Sequence, residues 1–326
     1  MTPQFFRNTD FAPVYDAAGL TALDIGSRGG FDRDLLPIAW AVDAIGFEPE
    51  PAAFATLTGL DAGPWRSVRW LPTAIGPMTG TAMLNVPPDG NGASLLVHDA
   101  AIGRQYGMEH LTQNCRQIPV EMVTLGEAVT RWRLPPPAYL KLDVEGAELS
   151  ILNSDGGMLD HVVVIKTEAF FIPARIDQPL VHDMIQGLAG RGFAVMDILE
   201  PARWRSRTVA PAPYSWAGSP AFSRGRLAQC DLLFFREPAT IAGDDGDTAL
   251  RAALVAMALG FFDHALGLLE RPAVTEILKY RHGVAVKPAL VQASRAFGRH
   301  AALAAIRRNL RELIPLARSL TWGIPG

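Results

Sequence analysis

The strongest constraint on this chain is a set of short apolar runs, each followed by a turn and most by a helical pattern. Residues 21–25, 41–47, 138–144, 161–168 and 192–199 carry little polar alternation, so they read as strands buried on both faces. Strands of this kind alternating with helices predict a doubly wound, mainly parallel α/β sheet. Residues 68–75 read as a third strand that turns at 76–80 into a hairpin partner over 81–86. Residues 120–124 and 231–236 read as further strands. Helices are expected over 31–40, after the first glycine turn, and over 181–190.

In open α/β sheets, ligands bind beyond the carboxyl ends of the strands. The run Leu140-Lys141-Leu142-Asp143-Val144-Glu145-Gly146-Ala147-Glu148 delivers three carboxylates and one lysine to such an end. Burying these charges without purpose would be costly. Glu145 and Glu148 also suit the first turn of a helix. Lys141 and Asp143 are expected inside the sheet layer and are read as functional. Asp143 and Glu145, two residues apart, would share one face of an extended strand. Lys166 and Glu168 close the next apolar run.

The first strand ends in Asp24, then Gly26-Ser27-Arg28-Gly29-Gly30. Glycines here let backbone approach a ligand closely. A dinucleotide fingerprint needs glycine where Arg28 stands, so that reading fails. Glu48, about 20 residues beyond the glycines, is spaced to accept both hydroxyls of a ribose. Pro49 follows it.

Taken together, these pieces resemble the FkbM-type methyltransferases, which use S-adenosylmethionine (SAM). The 140–148 run is similar to that family's "lKiDvEGaE" signature, Gly46-Phe47-Glu48-Pro49 to its "fEP" segment, and Val123-Thr124-Leu125 to the "TL" segment before the signature. The family usually has aspartate where Gly126 stands, which puts a local helix cap in doubt. The resemblance implies a seven-stranded Rossmann-like sheet with an antiparallel last strand. It implies that Asp24 and the turn Gly26, Ser27, Arg28, Gly29 and Gly30 hold the methionine part of SAM, with Glu48 and Pro49 at the ribose. Thr73 or Ala74 would lie beside the adenine, and the loop before Ser94-Leu95 would wall the acceptor site. The implied reaction is O-methylation of a hydroxyl on a sugar, glycan or natural product. Asp143, Glu145 and Glu168 are the candidate bases, His98 is held in reserve, and Lys141 steadies the pair 143/145. No metal is assigned, a divalent ion being the alternative use of the carboxylates. Two rival readings are a non-catalytic binding or assembly protein on the same fold and a nucleotide-dependent oxidoreductase.

The chain has 326 residues and a net charge of -3, which argues against general nucleic-acid binding. Cys115 and Cys230 have neither metal nor disulfide spacing, so a reducing compartment and a cytoplasmic protein are expected. No apolar run is long enough to span a bilayer. Composition changes near residue 240, predicting a methyltransferase domain over 1–238 and a helical extension over 239–326. Asp244-Asp245-Gly246-Asp247 reads as a helix cap rather than a calcium loop. From Lys287 onward, Lys287, Arg295, Arg299, Arg307, Arg308, Arg311 and Arg318 face one acid, Glu312, among interleaved Leu and Ile. This helix is expected to dock on the catalytic domain, a second copy, a partner or an acidic membrane. Residues 199–229 carry Arg203, Arg205, Arg207, Arg224 and Arg226 with Trp204, Tyr214 and Trp216, a composition suited to gripping an anionic or sugar-like group.

Overall fold

The computed structural model describes residues 4–206 and 225–321. Its strands are β1 (Leu20–Ile25), β2 (Val42–Phe47), β3 (Ser67–Leu71), β4 (Ala74–Ile75), β5 (Gly80–Val86), β6 (Arg116–Val123), β7 (Tyr139–Leu142), β8 (Val164–Phe170), β9 (Phe193–Trp204) and β10 (Arg226–Arg236). Seven of them form the main sheet in the order β3-β2-β1-β7-β8-β10-β9. The first five in that order run parallel, whereas β10 runs antiparallel to both β8 and β9. This is the doubly wound fold the apolar runs predict, with the antiparallel strand that the family resemblance implies.

Alternate residues of β1 feed two cores. Leu20 and Ala22 join one apolar cluster, and Leu23 and Ile25 join the other. The second cluster is completed by α4 (Leu125–Trp132), α5 (Glu148–Leu152) and α6 (Val181–Ala189). The first is completed from both ends of the chain, by α1 (Ala12–Ala17), α7 (Gly246–Ala258), α8 (Phe262–Leu269), α9 (Pro272–Glu276) and the start of α10 (Val286–Thr321). Asp245 caps α7, accepting from the Thr248 N–H at 2.9 Å, as expected. Tyr15 Oη donates to the Leu254 carbonyl at 2.9 Å, joining α1 to α7. The helices beyond residue 238 therefore share their core with the main sheet.

Three expectations are corrected. No α-helix follows the first glycine turn: residues 29–35 form turns, and only a 3₁₀ segment, Leu36–Ala41, remains. Pro37 lacks the N–H a helix interior needs, and the Asp32 N–H is taken by the Asp24 carboxylate at 2.8 Å. The third strand breaks at Pro72, where the chain leaves the main sheet and continues as β4 in a second sheet. There is no β4–β5 hairpin, because β6 lies between them, parallel to β4 and antiparallel to β5. The remaining helices are α2 (Pro51–Thr58) and α3 (Ala100–Tyr106). Gly126 costs α4 no cap, since Thr124 accepts from the Glu127 N–H at 3.1 Å. A Cβ at Gly126 would come within 2.9 Å of Gly156 Cα, so the loop before β8 presses on this turn.

Candidate active site

A cavity of about 410 Å³ opens where the carboxyl ends of β1, β2 and β7 meet the small sheet. The glycine turn forms one wall. Gly26 sits at φ +87°, and its N–H and that of Ser27 both donate to the Phe47 carbonyl at 3.1 Å, fastening the turn to β2. The Asp143 N–H donates to the Ile25 carbonyl at 2.9 Å, drawing the end of β7 over the turn. A Cβ on Gly26 would collide with the Asp143 carbonyl, so only glycine admits this approach.

Of the residues singled out in the sequence, Gly26, Arg28, Glu48, Pro49, Thr73, Ala74, Ser94, Asp143 and Glu145 line the cavity. Asp24, Ser27, Gly29, Gly30, Lys141 and Glu168 do not. Ser27 Oγ turns inward and donates to the Asp24 carbonyl at 2.7 Å. Glu48 is buried, and its Oε1 accepts from the Glu50 N–H at 2.8 Å. Burial raises the pKa of Glu48, against which the Glu50 N–H and the Arg28 charge work. Asn91, Gly92, Ala93, Ser94 and Leu95 also line the cavity.

Lys141 ties the first strand to the signature. Its Nζ lies 3.1 Å from Asp24 Oδ1, 3.3 Å from Asp143 Oδ2 and 3.2 Å from the Gly26 carbonyl. Burial opposes its charge, but the two aspartates hold it well above the ordinary lysine range. Asp24 is pushed up to about 6 by burial, with Lys141 pulling the other way. Its carboxylate faces Lys141 and the Asp32 N–H, so it braces the turn from behind.

β7 ends at Leu142, so Asp143 and Glu145 lie in a turn, and Asp143 is exposed rather than inside the sheet layer. Glu145 takes φ +65°, uncommon for a residue with a side chain. Three contacts hold it there: an ion pair with buried Arg175, Ser94 Oγ donating to its carbonyl at 2.8 Å, and Glu148 behind the loop. The Glu148 carboxylate accepts from the N–H groups of Val144 and Gly146 at 2.9–3.1 Å. Burial still pushes its pKa up to about 7, so this carboxylate is a brace for the turn. Glu168, inside β8, is buried, and burial together with Glu145 and Asp143 raises it well above the usual carboxylate range. One carboxylate oxygen from each of Asp143, Glu145 and Glu168 lies within 4.8 Å of the others.

His98 is absent from the cavity wall. Burial and the neighbouring Arg175 charge push it down to about 4, which makes it a weak base. Arg203 and Arg226 lie on the paired ends of β9 and β10, while Arg207, Tyr214, Trp216 and Arg224 lie outside the described residues. Sequence reasoning missed Arg175, and it missed the Lys166 cluster. Lys166 Nζ lies 2.7 Å from Asp32, 3.1 Å from Asp34 and 3.5 Å from Asp231, anchoring the loop after Gly30. The available signal was the pair Asp32 and Asp34 before Pro37, two acids too many for a buried helix.

A sequence profile of the methyltransferase FkbM domain matches residues 29–195, half of the chain. The chain belongs to the FkbM methyltransferase family. The seven-stranded sheet with antiparallel β10 is accordingly a Rossmann-like methyltransferase fold. The FkbM match spans Glu48, the signature, Glu168 and Arg175, and it begins within the glycine turn. No curated protein matches the chain. Cys115 and Cys230 are unpaired. Among the described residues, no helix is long and apolar enough to cross a membrane.

Proposed function

We propose that this FkbM-family chain transfers a methyl group from SAM to a hydroxyl oxygen of a sugar, glycan or natural-product acceptor. The observation that carries the reading is one cavity bounded by the Gly26 turn, Glu48 and the Asp143–Glu145 turn. Its volume lies in the range of small-molecule sites, ~300–1,000 Å³. The residues present fit the cofactor. Arg28 Nη1 and Thr73 Oγ1 are buried without hydrogen-bond partners, and both residues line the cavity. Arg28 suits the methionine carboxylate and Thr73, beside Ala74, suits the adenine edge. Glu48 suits the ribose hydroxyls.

When bound, the sulfonium supplies an electrophilic methyl group. The chain's own residues do the rest. The Gly26 turn and Glu48 fix the donor, and proximity of this kind supplies up to ~7–11 kcal/mol of a barrier. Asp143, exposed to the cavity and steadied by Lys141, takes the proton of the acceptor hydroxyl, worth roughly 10²–10⁴-fold. Glu145 and Glu168 shape the field on the acceptor side. We assign the site to a methyltransferase domain over 1–238 and treat 239–326 as its extension, whose helices α7 to α9 share a core with the main sheet. The setting we propose is cytoplasmic, in keeping with two unpaired cysteines.

The test is calorimetry with SAM and with its demethylated product, followed by a screen of hydroxyl acceptors with labelled SAM. Binding of SAM without transfer to any acceptor supports a non-catalytic role. Binding of NAD and not SAM overturns the reading.

A further inference from the structure

We infer that Asp143, Glu145 and Glu168 bind a divalent cation of the oxygen-preferring class, Mg²⁺, Mn²⁺ or Ca²⁺, on the acceptor side of the cavity. The geometry fits one ion. The three ligand oxygens lie within 4.8 Å of one another, and an ion with ligands at about 2.0–2.6 Å spaces its oxygens roughly 3–5 Å apart. The donor set is all carboxylate, without His or Cys, which favours this class over zinc or copper.

The second observation is Glu168 itself. It is 8 % exposed, and its Oε2 has no hydrogen-bond partner. Oε1 accepts from Gln229 Nε2 at 2.9 Å, so the side chain is fixed, and its carboxylate contributes an oxygen to the group. A buried acceptor left unpaired costs about 1–3 kcal/mol, and more when charged. Glu145, Asp143 and Glu148 all add negative charge around Glu168, and Arg175 opposes them. Arg175 pairs with Glu145 through Nη2 alone, its Nε and Nη1 being buried without partners, and Lys141 pairs with Asp24 and Asp143. The cluster is short of positive charge at the point where an oxygen is free. A divalent ion supplies both the charge and the missing partner.

The role of the ion rests on the methyl-transfer reading. Three protein oxygens leave positions in a shell of six to eight for acceptor oxygens. An acceptor with two adjacent oxygens, such as vicinal sugar hydroxyls, would fill them and be aimed at the donor.

The experiment titrates Mn²⁺ alone into the EDTA-treated, dialysed full chain, read by the loss of the free Mn²⁺ EPR signal. One saturable site is expected. Glu168→Gln should weaken it at least tenfold. Asp143→Asn, at an exposed ligand where misfolding is not a concern, should weaken it by a similar factor. SAM affinity is measured separately in EDTA. Absence of saturable Mn²⁺ binding up to millimolar concentration, or equal binding in wild type and Asp143→Asn, overturns the site. Mn²⁺ binding without SAM binding supports the site while defeating the methyl-transfer reading; the converse defeats the site alone.

Discussion

Gly26 and Asp143 approach so closely that a Cβ on Gly26 would collide with the Asp143 carbonyl oxygen. The end of β1 and the end of β7 are thus one object, and the cavity wall depends on it. Gly26→Ala adds this collision to an unfavourable φ of +87°, strain of about 1–3 kcal/mol before any displacement. We expect a lower melting temperature and loss of SAM binding together. Gly267→Ala is the control: it lies in α8 with open space at its Cβ, and it should stabilise by up to ~1 kcal/mol. Thermal melts of the two variants check the pair.

Asp143→Asn is nearly isosteric and removes charge and basicity. It should keep the fold and SAM affinity while lowering single-turnover transfer by roughly 10²–10⁴-fold. Glu145→Gln also breaks the Arg175 pair, so its loss should include some stability. If the two carboxylates act as a unit, the double variant should lose little more than Asp143→Asn alone. Strictly additive losses would separate their roles.

Asp24 predicts a pH dependence. Its folded pKa of about 6 lies above the unfolded value near 3.8, so the folded chain holds a proton that the unfolded chain has released. The stability contributed is fully present below pH ~4 and is lost as pH rises through ~6, about 3 kcal/mol over that window. Asp24→Asn should flatten the stability curve between pH 4 and 7 and be no less stable than wild type at pH 7.5. Since Asp24 braces Lys141 and the turn, transfer should fall nonetheless. Denaturant melts across this pH range decide it: an unchanged slope in the variant contradicts the assignment.

The β1–turn–Glu48 run and the 140–148 signature were legible because their chemistry depends on residue type at fixed spacing, and close spacing survives folding. The strand break at Pro72 and the path of β4 into a second sheet were not, because a short apolar run does not say which sheet it joins. Arg175 was hidden for another reason. Its partner Glu145 is 30 residues away, and nothing local in the segment after β8 marks an arginine that will be buried. The composition change near 240 marks where the helical extension begins, but not that Leu250, Leu254 and Met257 share a cluster with Leu20, Val42 and Val164. A chain that ends at residue 237 would bare that face.

Two truncations test this shared core. A chain ending at Glu237 should be insoluble or unfolded, having lost α7, which is buried along nearly its whole length. A chain ending at His300 keeps Phe297 against Phe5 and Phe262, and His300 stacked on Phe5. Leu303, Ile306 and Leu310 beyond it are more than half exposed, so their removal should leave the melting temperature within about 2 °C of wild type. Melting curves and light scattering on the two chains give the answer.

We propose that the cavity between Gly26, Glu48 and Asp143 holds SAM. The most direct measurement is calorimetric titration of SAM into the wild-type chain and into Glu48→Ala. One site is predicted in the wild type, weakened in the variant by roughly 1.5–3 kcal/mol, the value of hydrogen bonds to a charged group. No SAM binding in the wild type, or the same affinity in a folded Glu48→Ala chain, would contradict it.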